Sequence, residues 1–549
     1  MNEFMNYTIG EWLDIAAIKY EKNEAMVYVD RDIRMNYKEL NNYCNRIAKG
    51  LIAMGIKKGD HVAIWAENYP EWLALIFATA KIGAVLVTIN PNYKNGELQY
   101  LLEQSDTHTL FMGSGTKEND FIDVFSKLEI TQLPRLKNVI FIPRNSNECI
   151  PYGFNSFENV VNFGKNISDE ELEGKSKEVN CHDVTNIQYT SGTTGKPKGV
   201  ELTHYNILNN AKFIGDNMHL TENDRYCISV PFFHCFGLVL SIMSCVTHGA
   251  TMIPIDVFSP TKIFKIIEKE RCTAINGAPA MFKMLLNHKD FKNVDFSSLR
   301  TGIMAGALCS EDIMKRVNEE MHIKDIVTVY GQTEASPGIT MTTVDDILKT
   351  RVSTAGKPFP NVEVKLVDTD GNEILENYVE GEICARGYNI MKGYYNKPEE
   401  TARVIKNGWL YTGDLAYRDV NGNYVIKGRK DDMIIRGGEN IDPIEIENFL
   451  NKYPGINEAQ VFGVESEIFG KEVAVCIIKE EGFYLDEQEV IEYVRKNMSK
   501  HKVPSYINFV NEFPKTAKGT IEKYKMRENI ESQIQKYNST KVKTLILKK

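Results

Sequence analysis

Tyr189-Thr190-Ser191-Gly192-Thr193-Thr194-Gly195-Lys196-Pro197-Lys198-Gly199-Val200 is the stretch on which the reading of this 549-residue chain turns. Its glycines, Gly192, Gly195 and Gly199, let backbone N–H groups converge on an anion. The hydroxyls of Thr190, Ser191, Thr193 and Thr194 add donors, and Lys196 and Lys198 add positive charge. Val184–Thr190 reads as a strand before the loop, and a helix is predicted from about Thr203. Phosphate sites usually lie between a strand and a helix, so that is where the loop is expected. It is not a Walker A loop, because G-x-x-x-x-G-K-[ST] cannot be laid on it. One short glycine-rich turn is often merely solvated; a string this long and this rich in donors is far more specific.

The same alternation extends on both sides. His61–Ala66 reads as a strand, Pro70 opens a helix through Ile82, Gly83 ends it, and Ala84–Ile89 is a second apolar strand. Strand, helix, strand with tight connections is a βαβ unit, and continuous apolar strands imply a sheet covered on both faces. Downstream, Arg225–Pro231, Ala250–Ile255, Cys272–Asn276, Leu299–Met304 and Ile326–Tyr330 are further strands. Ser259-Pro260 starts a helix, with serine as the N-cap and proline first inside. Two stacked, mainly parallel sheets are the natural architecture.

From about 355 the pattern becomes short strands, Val362–Val367, Glu382–Ala385 and Tyr424–Ile426, split by the turn signals Asp370-Gly371 and Asn421-Gly422. Beyond Met433 a compact α+β pattern follows, with helices over Pro443–Leu450 and Glu487–Met498 and strands over Ala459–Val464 and Glu472–Ile478. The expected division is therefore α/β over 1–431, made of two lobes and, from about 355, a β-rich subdomain. A small α+β domain over 432–530 and a loose, polar, lysine-rich tail over 531–549 complete it.

Composition narrows the classes. The chain is 43% apolar and 25% charged, with net charge −9, which argues against a nucleic-acid partner. The ten cysteines are scattered without a C-x-x-C pair. That spacing excludes clustered zinc ligation and fits free thiols in a reducing compartment. The acidic start, with Glu3, Glu11 and Asp14, is not a signal peptide. Phe232 to Ile253 lacks formal charge, but Gly249 leaves only a short helix, so a buried helix is expected rather than an integral membrane segment. The expected location is cytoplasmic. The oligomeric state is not legible.

With the remaining motifs in view, the chain resembles the adenylate-forming (AMP-binding) superfamily over about Glu11 to Arg527, nearest its bacterial fatty-acyl-CoA synthetases. The glycine-rich string is similar to that family's phosphate-binding signature. Phe232-Phe233-His234-Cys235-Phe236-Gly237 matches its aromatic-histidine motif, and Tyr330-Gly331-Gln332-Thr333-Glu334 its Y-G-x-T-E motif. Gly408-Trp409-Leu410-Tyr411-Thr412-Gly413-Asp414, Gly428-Arg429-Lys430-Asp431-Asp432-Met433-Ile434 and Gly437-Gly438-Glu439-Asn440 follow in the family's order.

The resemblance implies a role for each. ATP is expected against Thr190, Ser191, Gly192, Thr193, Thr194, Gly195, Lys196, Lys198, Tyr330, Gly331 and Thr333, with Ala305-Gly306-Ala307 as an adenine wall. Tyr330 would stack on adenine, and Asp414 would accept hydrogen bonds from the ribose hydroxyls, as an ionised carboxylate can. Thr190 and Glu334 would reach Mg²⁺, a hard cation that takes oxygen ligands. His234 would line the acyl and adenylate site, and Arg429 would contact ribose or phosphate. Asp431 would be the hinge of a mobile C-terminal domain, and Gly437, Gly438 and Glu439 would face the thiol channel.

The implied activity is an acid–thiol ligase. A fatty, medium- or long-chain carboxylate attacks the α-phosphorus of Mg-ATP and expels pyrophosphate, and the CoA thiol then attacks the acyl carbon of acyl-AMP and releases AMP. The problem is charge, since an anion attacks an anion. Related enzymes place an adenylation lysine in a P-K-T-x-x-G-K-[IV] pattern; here Pro514-Lys515-Thr516-Ala517-Lys518-Gly519-Thr520-Ile521 puts Thr520 in that position. Threonine carries no charge, and losing such a contact typically costs about 10²–10³ in rate.

Three readings stand side by side. Lys518 or Lys523 supplies the charge, or the lysine was replaced to trap a state, or the chain adenylates weakly and serves the second half-reaction or a binding role. On an extended segment Lys518 shares a face with Thr520, which favours it. Loading of a carrier-protein phosphopantetheine is the alternative acceptor reading.

Overall fold

In a computed structural model, the structure describes residues 3–116, 119–145, 147–190, 196–306, 311–368, 370–429, 434–441, 443–514, 521 and 523–546, with backbone alone at 428, 429, 440, 444, 524 and 536–546. The chain falls into a large unit, Met1–Thr190 with Lys198–Lys430, and a smaller one, Ser191–Pro197 with Asp431–Lys549. The hinge position, Asp431, lies outside the described residues.

The large unit carries two broad sheets. One has eight strands in the order Gly393–Tyr394, Lys198–Thr203, Val184–Thr190, Val85–Thr88, His61–Trp65, Thr109–Met112, Asn138–Phe141, Asn155–Ser156. The run from Val184–Thr190 onward is parallel. The other has nine strands, parallel from Asp325–Gly331 across to Glu24–Tyr28 and antiparallel at both margins. Helices lie between the sheets. One core joins Ile64 and Leu86 of the first sheet to Tyr226 and Met252 of the second, through Leu73 and Phe77 of helix Pro70–Ile82 and Ile207 and Leu208 of helix His204–Asn217. A six-stranded, antiparallel sheet spans Val362–Val367 to Tyr424–Arg429.

Local chemistry accounts for the element ends. Gly83 closes helix Pro70–Ile82 at φ 71°, a left-handed geometry that suits glycine. The uncharged stretch after Phe232 becomes helix Cys235–Gly237, a wide π-turn over Leu238–Met243 and helix Ser244–His248, ended by Gly249 at φ 76°. Ser241 and Ser244 hydroxyls donate to the carbonyls of Phe236 and Val239, five residues back, which matches the wider turn. Among the described residues no helix is long and apolar enough to cross a membrane.

Three expectations need correcting. The glycine-rich string does not run from a strand into a helix. Lys198–Thr203 is itself a strand, antiparallel to Val184–Thr190 with Thr190 opposite Lys198, and it lies between the string and the expected helix, which begins at His204 with Thr203 as its N-cap. The reason is pairing: Val200 and Leu202 bury against the core, and the backbone there completes the sheet. Ser259 precedes Pro260 as expected but makes no side-chain cap hydrogen bond. Part of the segment read as a loose tail is helical, in the helix Lys523–Ile546.

The smaller unit is α+β. Strands Ile456–Ser466 and Gly470–Lys479 form a long antiparallel pair, flanked by Ile434–Arg436, Glu439–Ile441 and Tyr506–Phe509. Ile446, Leu450, Val490 and Val494 from its helices bury against it.

The two broad sheets meet at Asn68, just past strand His61–Trp65. Its Nδ2 donates to the carbonyls of Val230 (3.0 Å) and Ile255 (3.1 Å), and its Oδ1 accepts from the Phe232 N–H (2.9 Å). Asn68→Ala removes all three bonds at a buried position. It is expected to cost about 2–4 kcal/mol, read by urea unfolding followed through Trp12, Trp65, Trp72 and Trp409, all in the large unit. An unchanged midpoint would mean the loops hold without it.

Candidate active site

The site is built at the ends of three strands of the large unit. Val184–Thr190 ends with Tyr189 and Thr190 half-buried. The Tyr189 hydroxyl donates to Gln104 Oε1 at 2.5 Å. Ser191, Gly192, Thr193, Thr194 and Gly195 lie outside the described residues, and Lys196 is exposed. Lys198, only 5% exposed, has its Nζ 3.5 Å from Glu400 Oε2 and 4.8 Å above the Tyr394 ring.

Asp325–Gly331 ends the second strand. A Cβ on Gly331 would sit 1.7 Å from the Pro337 carbonyl oxygen, so only glycine fits where Gln332 N–H donates to that same oxygen at 3.0 Å. The chain then turns through a 3-10 turn, Thr333–Ala335, which presents Glu334 half-buried. The Tyr394 hydroxyl donates to Glu334 Oε1 at 2.8 Å, and Met391 N–H donates to the Glu334 carbonyl at 2.8 Å. Gly306, at φ 84°, faces the Phe236 ring; Ala307 lies outside the described residues.

Trp409–Arg418 supplies the third. Asp414 is 6% exposed, and its Oδ2 accepts from the Tyr330 hydroxyl at 2.8 Å. Two motifs far apart in sequence therefore touch. The backbone of Arg429 pairs opposite Asp414; its side chain lies outside the description.

The aromatic-histidine turn packs beneath. His234 is half-buried, at the N-cap of helix Cys235–Gly237, with its ring 4.3 Å from that of Phe233. The Cys235 thiol donates to Gln188 Oε1 at 3.0 Å. Burial pushes that thiol well up, the Glu334 charge pushes it further, and a Thr333 hydrogen bond opposes both. Cys235 thus adjoins the strand before the glycine-rich string and the turn carrying Glu334. Gln188 is 2% exposed, and its Nε2 has no hydrogen-bond partner among the described residues.

In the smaller unit, Gly437 (φ 59°) and Gly438 (φ 91°) make the tight turn between Ile434–Arg436 and Glu439–Ile441. Gly437 N–H donates to the Phe469 carbonyl at 2.8 Å, and Glu439 is half-buried. Arg436 secures this hairpin through Glu472 (2.7 Å) and the carbonyls of His501 and Val503 (both 2.9 Å). Lys518 and Thr520 lie outside the described residues. Lys523 pairs with Glu447 at 2.6 Å and donates to the Val461 carbonyl at 3.1 Å.

The family model "AMP-binding enzyme" matches residues 13–395, and "AMP-binding enzyme C-terminal domain" matches 445–520. The chain belongs to the AMP-binding enzyme family.

YngI of Bacillus subtilis (strain 168), which carries an acyl-CoA synthetase name, is 46% identical over 541 residues, 96% of this chain and 98% of that one. The mitochondrial medium-chain acyl-CoA ligase ACSF2 of Rattus norvegicus is 34% identical over 97% of this chain and 89% of its own. The solved fatty acyl CoA synthetase of Mycobacterium tuberculosis is 28% identical, with a TM-score of 0.69, over 96% of this chain and 99% of that one.

Reading the sequence of this AMP-binding family member missed Asn68, Gln188 and Tyr394. Asn68 had a signal: a polar residue directly beyond an apolar strand, where α/β sheets place functional loops. Tyr394 had none, because its partner is 60 residues away.

Tyr330→Phe tests the junction between the two motifs. Removing a hydrogen bond to a buried carboxylate is expected to lower large-unit stability by about 1.5–3 kcal/mol, read by tryptophan-followed urea unfolding. No loss would mean that the two side chains do not meet in solution.

Proposed function

We propose that this AMP-binding enzyme joins a medium-chain, apolar carboxylate to CoA through an acyl-adenylate formed from Mg-ATP. The observation that carries the reading is the convergence of Thr190, Glu334 and the Tyr330–Asp414 pair in one unit. The names of YngI and of the rat and mycobacterial proteins support the acyl-CoA ligase reading, and the rat name supports the chain-length class.

The residues fit a magnesium ion carried on phosphates. Glu334 keeps Oε2 without a hydrogen-bond partner among the described residues, and Thr190 has a half-buried hydroxyl likewise unclaimed. Among the described residues no three His, Cys, Asp or Glu group as a metal cage. That suits Mg²⁺, which usually takes one or two protein oxygens plus phosphates and waters. Bound there, it would neutralise charge on the phosphates.

Protein groups would do the rest. Ser191 to Gly195 and Lys196 would cradle phosphate, Lys198 would sit at the base of that cradle, and Arg429 would contact ribose or phosphate. Asp414, held by Tyr330, would accept from the ribose hydroxyls beside an adenine flanked by Tyr330 and Gly306-Ala307. His234, with Phe233 and Phe236, would line the acyl end. The domains would be 1–431 and 432–530, hinged at Asp431, with Gly437, Gly438 and Glu439 facing the thiol. Free thiols at all nine described cysteines fit a cytoplasmic enzyme.

Thr520 makes the first half-reaction slow. Lys518 remains the favoured stand-in, because Lys523 is engaged with Glu447. The same residue motivates a second reading, a weakly catalytic acyl-adenylate-binding protein.

ATP–pyrophosphate exchange with butanoate through hexadecanoate, followed by thioester assay with CoA or a phosphopantetheinylated carrier protein, tests this. Exchange is expected with octanoate and decanoate, about 10²–10³-fold faster in Thr520→Lys, with CoA the better acceptor. Exchange only in the lysine variant would favour the binding reading. Silence in both would refute the function.

A further inference from the structure

We propose that Tyr394 is a positioning residue for Glu334, holding one carboxylate oxygen so that the other is presented to the metal. The inference rests on reading Glu334 as the metal-bound carboxylate. A glutamate on a short turn has rotamer freedom that metal binding must otherwise remove. Here that freedom is already restricted before ligand arrives, because Oε1 accepts the Tyr394 hydroxyl at 2.8 Å.

Tyr394 can do this because it is itself held on three sides. Its backbone lies in the two-residue strand Gly393–Tyr394, opposite Val200 of the strand that returns from the glycine-rich string. Its N–H donates to Thr401 Oγ1 at 2.9 Å. Its ring, 6% exposed, has the Lys198 ammonium 4.8 Å from its centroid. A cation over the ring draws electron density from the phenol and strengthens its hydroxyl as a donor to a carboxylate. Lys198 stays in place through Glu400, at 3.5 Å. The last lysine of the glycine-rich string thus acts on Glu334 at one remove, through an aromatic ring. A change in that string is transmitted to the metal carboxylate without any ligand between them.

The test is Mn²⁺ binding in the presence of ATP, followed by the electron paramagnetic resonance of free Mn²⁺. Wild type, Tyr394→Phe, Glu334→Gln, the double variant and Tyr395→Phe are compared. Tyr395 is the control, since its hydroxyl bonds Asp106 at 2.9 Å instead. Tyr394→Phe is expected to weaken Mn²⁺ binding about tenfold, the effect of losing one charge-assisted hydrogen bond. ATP binding without metal is expected to stay unchanged. Tyr394→Phe is also expected to add nothing on top of Glu334→Gln, and Tyr395→Phe to match wild type.

Equal binding in wild type and Tyr394→Phe would overturn the proposal alone. So would an effect of equal size in the Glu334→Gln background, which would mean that Tyr394 acts through general stability. Absence of metal-dependent nucleotide binding in the wild type would instead overturn the reading of Glu334 and this proposal with it.

Discussion

The antiparallel pairing of Lys198–Thr203 with Val184–Thr190 is the constraint on which the rest of the candidate site depends. It turns the chain back at the glycine-rich string instead of releasing it into a helix. The returning strand then offers its outer edge to Gly393–Tyr394, and that strand carries the hydroxyl that holds Glu334. The glycine-rich string, the strand at Tyr394 and the turn carrying Glu334 are thereby tied, the first two by strand pairing and the last by the Met391 N–H and the Tyr394 hydroxyl. A slip of one residue in this pairing would turn Lys198 to the other face of the sheet.

The charge problem of the proposed reaction gives the arrangement its sense. A carboxylate attacking a phosphate needs positive charge where negative charge develops, and preorganised groups are worth most where water is excluded. Lys198 is buried and engaged with Glu400 and Tyr394, so its influence is on the carboxylate that orders the site. On the proposed reading, with Thr520 at the adenylation position, the remaining sources would be Lys196, Arg429, Lys518 and Mg²⁺. A carboxylate held at one oxygen and open at the other then matters more than it would beside a strong cation.

Much of this was legible in the sequence because it was local. Pro70 to Gly83 bounds its helix to the residue, and Val184–Thr190 is a strand over the residues read as one. Periodicity and end signals suffice where one element decides its own state. The helix expected from about Thr203 begins at His204, but the strand Lys198–Thr203 before it reads as loop in the sequence, because Val200 and Leu202 alternate over a span too short to signal a strand. Only the neighbouring strand's unpaired edge decides the matter. The Tyr330–Asp414 and Tyr394–Glu334 bonds join residues 84 and 60 apart, and no pattern along the chain encodes such pairs. Motif resemblance could nominate Tyr330, Glu334 and Asp414, but the tyrosine that orients Glu334 belongs to none of the motifs read.

The central claim is that a substrate carboxylate attacks the α-phosphorus of ATP on this chain. Incubation with Mg-ATP, CoA and octanoate labelled with heavy oxygen in its carboxyl group, followed by mass spectrometry of the nucleotide product, tests it most directly. The account requires AMP that carries one labelled oxygen together with octanoyl-CoA, since the O–P bond formed in the first step persists while the acyl C–O bond breaks in the second, which leaves a carboxylate oxygen on phosphorus. Unlabelled AMP, or ADP in its place, would contradict it.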